Sequence, residues 1–327
     1  FGCNMKEFEL IKRFFSEQTI KRKDVVLGIG DDCAIVSPSE RQNIAITTDT
    51  LVAGVHFPHE TSARAIGHKS IAVNLSDLAA MGAEPTWISL AITLPEVDVK
   101  WVEEFCQGVF ELCEFYNVQL VGGDTTQGPL SITLTAQGLV PKDKHLTRAG
   151  AKAGDWIYVT GEIGDAALAL KHIFKEVNVA PEYRESVQRS LDFPTPRILA
   201  GQALRGYASS AIDLSDGLIA DLGHICKASK VGANIVLDDL PISNALRDTV
   251  GLEKAYEMTL AGGDDYELLF TVSEDNKVGM ETALANTSNT ITCIGQINRS
   301  EKITTTLNSK PVTLHAKSFE HFSRNKD

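Results

Sequence analysis

Six times along this 327-residue chain an apolar or threonine-rich segment runs into an aspartate. The segments are Val25-Val-Leu-Gly-Ile-Gly-Asp-Asp32, Ile44-Ala-Ile-Thr-Thr-Asp49, Ile71-Ala-Val-Asn-Leu-Ser-Asp77, Leu120-Val-Gly-Gly-Asp124, Ala211-Ile-Asp-Leu-Ser-Asp216 and Met258-Thr-Leu-Ala-Gly-Gly-Asp-Asp265. A carboxylate at the end of a buried strand is costly unless something compensates its charge. Hard divalent cations do so, and Mg²⁺ favours carboxylate, hydroxyl and water oxygens. The neighbouring glycines let a backbone approach phosphate closely, with N–H groups that can cradle it. A single Gly-Asp step reads as an ordinary turn, and Ser215 or Asp216 also fits as the N-cap of a following helix. Six such segments in one chain point instead to a site for several metal ions and a polyphosphate.

The charge balance supports this. The chain carries 43 acidic and 31 basic residues, a net −12. Nine of the acids are Asp31, Asp32, Asp49, Asp77, Asp124, Asp213, Asp216, Asp264 and Asp265 of these segments, and the remaining 34 nearly balance the bases. An acidic chain without a basic stripe is a poor nucleic-acid binder and a poor ligand for anionic lipid. No apolar run reaches membrane length; Trp87–Leu94 is already interrupted by Ser89 and Thr93. Phe1-Gly2-Cys3-Asn4, ahead of Met5, is set aside as a cloning remnant, and no hydrophobic signal core follows. The six cysteines form no C-x-x-C pair, so a reducing cytoplasmic setting is expected, with Cys106 and Cys113 as core thiols. No Walker A loop, G-x-G-x-x-G turn, G-x-S-x-G elbow or H-E-x-x-H helix occurs.

Periodicity predicts strands at 43–48, 86–93, 130–136, 155–160, 267–272 and 290–296. It predicts a helix over 99–116, with Asp98 as N-cap and Val102, Phe105, Cys106, Val109, Leu112 and Cys113 on its apolar face. A second helix over 63–82 is rich in Ala, Gly and Ser, which admits another backbone. Residues 165–175, 196–206 and 216–229 complete the expected helices. The polar, glycine-rich stretch 146–155 marks a boundary, giving domains 5–148 and 149–327 of an α/β (α+β) protein. Leu75-Ser-Asp77 returns as Leu214-Ser-Asp216 and Gly122-Gly-Asp124 as Gly262-Gly-Asp264. Matches this short arise by chance, and alone they establish no repeat.

Together the motifs resemble the thiamine-monophosphate kinase family, of the ATP-binding superfamily that includes aminoimidazole ribonucleotide synthetase. They include Gly28-Ile-Gly-Asp-Asp-Cys-Ala34, Thr47-Thr-Asp-Thr-Leu-Val-Ala-Gly-Val-His-Phe57, Leu146-Thr-Arg-Ala-Gly150 and Gly262-Gly-Asp-Asp-Tyr-Glu-Leu268. The likeness runs from about Phe8 to Phe322. It implies a two-domain aminoimidazole ribonucleotide synthetase-like fold whose N-terminal sheet pairs across a homodimer and whose C-terminal domain closes the active site. It implies transfer of the ATP γ-phosphoryl group to thiamine phosphate, with several Mg²⁺ ions and a monovalent cation as a further candidate. The family's metal ligands fall on Asp32, Thr47, Thr48, Asp49, Asp77, Asp124, Asp213 and Asp216. Nucleotide contacts fall on Gly123, Asp124, Arg148 and Ser215, with Tyr116 a weaker candidate. Contacts to thiamine phosphate fall on His56, Asp264 and Phe319. Asp264 departs from the glutamate, and Phe319 from the tyrosine or tryptophan, frequent in the family. Asp49, Asp77, Asp124, Arg148 and Asp213 are the expected catalytic group. Two alternatives share the aspartates: a synthetase that activates an amide or carboxylate oxygen, and a silent ATP-binding regulator.

Overall fold

The computed structural model describes residues 7–313. The chain forms two compact units that meet in sequence between His145 and Leu146, with Ala79–Gly82 grouped with the second. In the first unit, β1 (Val25–Leu27) and β2 (Ile35–Val36) pair antiparallel. A four-stranded sheet holds β3 (Gln42–Val52), β4 (Glu84–Leu94), β5 (Gln119–Gln127) and β6 (Ser131–Pro141) in the order β3-β6-β4-β5. The β4–β5 pair is parallel and the other two are antiparallel. β3 and β6 pair without a break from Gln42–Pro141 to Val52–Ser131. Along β3, Ile44, Ile46, Thr48 and Thr50 are exposed, whereas Thr47, Asp49 and Leu51 lie on the more buried side. This is the two-residue alternation of a strand with one covered face.

The helix joining β4 to β5 spans Val99–Tyr116, as its apolar spacing predicts. The Asp98 carboxylate accepts hydrogen bonds from the amides of Lys100 (2.9 Å) and Trp101 (3.2 Å), satisfying N–H groups that have no partner within the helix. Asn117 ends the helix in the left-handed region, at φ 55°. The Ala63–Ala80 helix is buried on nearly every side. Its small residues serve the close approach expected of them. A Cβ added at Gly67 would sit 2.1 Å from the Phe105 carbonyl oxygen, and one at Gly108 2.0 Å from that of Arg64. The two helices therefore touch backbone to backbone. Cys106 and Cys113 are buried, and burial lifts the Cys106 thiol to about 12, as befits core thiols.

The second unit is built on a seven-stranded sheet. Its strands are β7 (Trp156–Thr160), β8 (Ala208–Asp213), β9 (Gly232–Val236), β10 (Leu268–Val272), β11 (Ile291–Asn298), β12 (Ile303–Leu307) and β13 (Lys310–Val312). They lie in the order β13-β12-β9-β11-β7-β10-β8, and only β12–β9 is parallel. All five residues of β10 are buried. The three helices expected here appear as Asp165–Ile173, Ile198–Ala203 and Leu218–Ser229, joined by Pro181–Asp192, Asn244–Val250, Leu252–Ala261 and Lys277–Leu284. Pro181–Asp192 escaped the reading because it buries only Val187 and Leu191, too thin an apolar stripe to register. β5 escaped it because Gly122 and Gly123 weaken a strand signal. Among the described residues, no helix is long and apolar enough to cross a membrane.

The helix crossing yields a clear expectation. Alanine normally favours a helix over glycine by about 1 kcal/mol. Gly108→Ala should instead destabilise the chain by about 2 kcal/mol or more, because the methyl group meets backbone that cannot yield. Urea unfolding of the variant and the parent checks the sign.

Candidate active site

In the first unit, Thr47, Asp49 and Asp77 come together. Asp77 lies near the end of the Ala63–Ala80 helix, and the Thr47 hydroxyl donates to its Oδ2 at 2.5 Å. Asp49 lies two residues along β3 from Thr47, on the same side. Burial, reinforced by the charge of Asp77, raises its carboxyl to about 6. Two carboxylates and a hydroxyl in one partly covered place form a hard-oxygen donor set whose anionic form is short of positive charge. That set fits a divalent cation. Thr48 is turned to the opposite face, where its hydroxyl pairs with that of Thr135 at 2.8 Å, and Thr50 pairs likewise with Thr133 at 2.9 Å.

Asp124 and Gly123 lie within β5. The register sets Asp124 beside Ala91, which is exposed between buried Leu90 and Ile92. A pocket beside this strand is lined by Ile11, Phe15, Ile29, Leu90, Gly123 and Asp124, among others. Tyr116 is not part of that lining; it ends its helix edge-to-face against Phe115, with ring centroids 4.8 Å apart. Asp32 is exposed in the connection between β1 and β2, its amide donating to Asp31 Oδ1 at 2.8 Å. His56 sits in a tight turn after β3. Its amide donates to the Val52 carbonyl (3.0 Å), and the Val52 amide donates to His56 Nδ1 (3.0 Å). The neutral ring therefore carries its proton on Nε2.

In the second unit, the Leu-Ser-Asp-Gly and Gly-Gly-Asp-Asp-Tyr-Glu segments lie side by side. The Leu214 amide donates to the Glu267 carbonyl (2.8 Å), the Tyr266 amide to that of Leu214 (2.8 Å), and the Asp264 amide to that of Ser215 (2.9 Å). Asp213 ends β8 and is buried. Asp264 and Tyr266 both hold left-handed backbone, at φ 68° and 50°, and the Tyr266 hydroxyl donates to Asp264 Oδ1 at 2.9 Å. Two such residues in three store strain at a candidate site. The helix after Asp216 starts at Leu218 with Gly217 as N-cap, so neither Ser215 nor Asp216 caps it with its side chain. The capping oxygen is Asp221 Oδ2, which takes the amides of Ser215, Asp216 and Gly217 at 3.1 Å each. These three N–H groups are therefore committed within the protein.

Arg148 is exposed on the loop that leads into the second unit. The loop is pinned along β8: the Ala211 amide donates to Thr147 (2.9 Å), and the Ser229 hydroxyl donates to the Arg148 carbonyl (3.2 Å) while accepting from Gly150 and Ala151. Phe319 lies outside the described residues. The parts played by four acidic or basic groups of the site region are not among the roles read from the sequence. Asp221 and His224 approach Asp216, their ligand atoms lying within 4.8 Å of one another. Glu267 is gripped by Arg197 and by the Thr160 hydroxyl (2.5 Å). The available signal was the i, i+3 pairing of Asp221 and His224 on an apolar helix. The tripeptide echoes are not a structural repeat: Leu75-Ser-Asp77 is helical and Gly122-Gly-Asp124 is in a strand, whereas their counterparts lie in loops.

The fold and these acidic segments define a class. Residues 30–140 match the family model of the AIR synthase related protein N-terminal domain, and residues 152–308 that of the C-terminal domain. The chain is 51% identical over 320 residues to thiamine-monophosphate kinase of Escherichia coli (strain K12), covering 97% of this chain and 98% of that protein. The crystal structure of thiamine-monophosphate kinase from Stenotrophomonas maltophilia K279a superposes with a TM-score of 0.84 at 44% identity, over 89% of this chain and 93% of the other. AaThiL complexed with AMPPCP and TMP superposes with a TM-score of 0.76 at 33% identity, over 90% and 92%. The chain belongs to the thiamine-monophosphate kinase family.

The raised carboxyl of Asp49 makes the metal-free protein sensitive to pH. A group bound more tightly to its proton when folded stabilises the fold at low pH, and that stability is lost as pH rises through its folded value. Without metal, the contribution from Asp49 should therefore decline between about pH 4 and 6. Urea unfolding in a chelator across this range should show a smaller decline for Asp49→Asn than for the parent.

Proposed function

We propose that this chain transfers the γ-phosphoryl group of ATP directly to thiamine phosphate, yielding thiamine diphosphate and ADP, the last step in making thiamine diphosphate. The observation that carries this reading is the meeting of Asp49, Asp77 and the Thr47 hydroxyl, which forms a hard-oxygen site poised for a divalent cation. The relative solved with AMPPCP, a non-hydrolysable ATP analogue, and TMP supports the choice of substrates.

In this proposal Asp32, Asp49, Asp77 and Asp124 of the first unit and Asp213 and Asp216 of the second hold Mg²⁺, with Thr47 and the Thr48 backbone assisting. Bound Mg²⁺ supplies charge neutralisation where a triphosphate meets a phosphomonoester. The attacking phosphate oxygen is already largely ionised at neutral pH, so no side chain need act as a strong general base. What the residues contribute is position. Thr47 fixes the Asp77 carboxylate through its donated hydrogen bond. His56, with its proton on Nε2, is suited to donate to the phosphate of thiamine phosphate. Asp264 is assigned to the same substrate, along with Phe319. Gly123, Asp124, Ser215 and the planar fork of Arg148 are assigned to ATP. Gly123 and Asp124 border the pocket beside β5, and Tyr116 does not. Pairing with a second copy is also proposed, supported by Ile44 and Ile46, both exposed along β3. The buried, unpaired Cys106 and Cys113 accord with a reducing cytoplasmic setting.

ADP release should rise with thiamine phosphate, and not with free thiamine or formylglycinamidine ribonucleotide. Stimulation by the ribonucleotide would favour a synthetase, and stimulation by none a regulator. γ-Labelled ATP should leave no covalent label on the washed protein, since transfer is direct; retained label overturns the direct mechanism. Asp49→Asn and Asp124→Asn should each reduce turnover to background at saturating Mg²⁺. Their unfolding midpoints should stay level or rise, because like-charge repulsion is relieved.

A further inference from the structure

We propose that Asp221 is the positioning residue of the second unit's acidic loop: its carboxylate locks the backbone of Ser215–Gly217 so that the Asp216 side chain is presented to a divalent cation. The inference rests on the cation-binding reading of Asp216 given above. Three observations carry it.

The first is the grip itself. Asp221 is buried, 2% exposed, and its Oδ2 receives three successive backbone N–H groups, each at 3.1 Å. A carboxylate accepting several amides is a strong, charge-assisted anchor. The second is that the loop has no amide left over. The Leu214 N–H is taken by the Glu267 carbonyl, and those of residues 215 to 217 by Asp221. The Leu214 and Ser215 carbonyls accept from Tyr266 and Asp264. With its amides committed, the loop offers a ligand its side chains. The third is the turn that the grip requires. Gly217 holds φ 109°, and a Cβ there would lie 2.8 Å from the carbonyl carbon and oxygen of Ala261. Only glycine closes the loop onto Asp221 at this point.

The arrangement also keeps Asp221 close to Asp216: ligand atoms of Asp216, Asp221 and His224 lie within 4.8 Å of one another, while Asp221 Oδ2 is occupied with the backbone.

The test uses the full-length protein and Mn²⁺ as probe, read by electron paramagnetic resonance, together with amide hydrogen exchange of the 214–218 segment without metal. Asp216→Asn identifies the Mn²⁺ binding that depends on Asp216. Asp221→Ala should speed exchange of the 215–217 amides by about ten-fold or more and weaken that Mn²⁺ binding by about ten-fold. Asp221→Asn keeps a carbonyl oxygen to accept the amides and should recover most of both. Unchanged exchange in Asp221→Ala overturns the grip, and faster exchange with unchanged Mn²⁺ affinity overturns its purpose. Protected amides with lost Mn²⁺ in Asp221→Asn make Asp221 a ligand, which also overturns the proposal. If Asp221→Ala fails to fold, Asp221→Ser, whose shorter side chain does not reach the three amides, replaces it with the same expected and overturning results. Mn²⁺ binding by Asp216→Asn equal to the parent removes the premise about Asp216 itself, a failure distinguished by arising in a variant that leaves Asp221 intact.

Discussion

The candidate site of the first unit is organised around one hydrogen bond, from the Thr47 hydroxyl to the Asp77 carboxylate. It joins a strand to a helix thirty residues away in sequence and sets two carboxylates in a common environment. Burial makes the charge of Asp49 expensive, and the charge of Asp77 makes it more so. The sheet supplies the accuracy: β3 is held in continuous register with β6, so every second residue from Thr47 through Leu51 faces the same way. The side facing away is finished with paired hydroxyls, Thr48 with Thr135 and Thr50 with Thr133.

The second unit solves the same problem by other means. Asp213 ends β8, but Asp216, Asp264 and Asp265 sit on irregular backbone, where no ladder fixes direction. Hydrogen bonds between the 214–217 and 264–267 segments take the ladder's place, and buried side chains secure the ends. Asp265 accepts the Gly164 amide through both carboxylate oxygens, at 2.9 and 3.0 Å, and burial raises its carboxyl well above the usual range. Glu267 is raised by burial as well, with Arg197 pulling the other way. Some aspartates of these motifs thus maintain the loop, while others remain to serve a ligand. A string of acidic letters does not say which are which.

That distinction explains how much the sequence could tell. The helix over 99–116 was legible to its ends because its cap and apolar face are local properties of adjacent residues. The six expected strands all carry β-branched or aromatic runs and all formed. The helix expected over 63–82 formed as Ala63–Ala80, and its small residues signalled the close backbone contact it makes. What stayed hidden depended on partners distant in sequence. The opposed faces of Thr47 and Thr48 follow from pairing with β6, and the commitment of three amides to Asp221 follows from a turn at Gly217. The repeated tripeptides show the limit plainly. Leu-Ser-Asp occurs once in a helix and once in a loop, because Ala, Val and Asn precede it in one case and a strand ends before it in the other. The motifs marked the neighbourhood of the chemistry, and tertiary packing set the direction of each side chain within it.

The glycine crossing between the two long helices has a mechanical consequence. Where Gly67 and Gly108 meet the other helix, no layer of side chains lies between the backbones. Packed helices ordinarily slide past one another by small rotamer adjustments in such a layer. Here there is nothing to adjust, so shear at this contact is closed off. The Ala63–Ala80 and Val99–Tyr116 helices are therefore coupled directly through their backbones at this point.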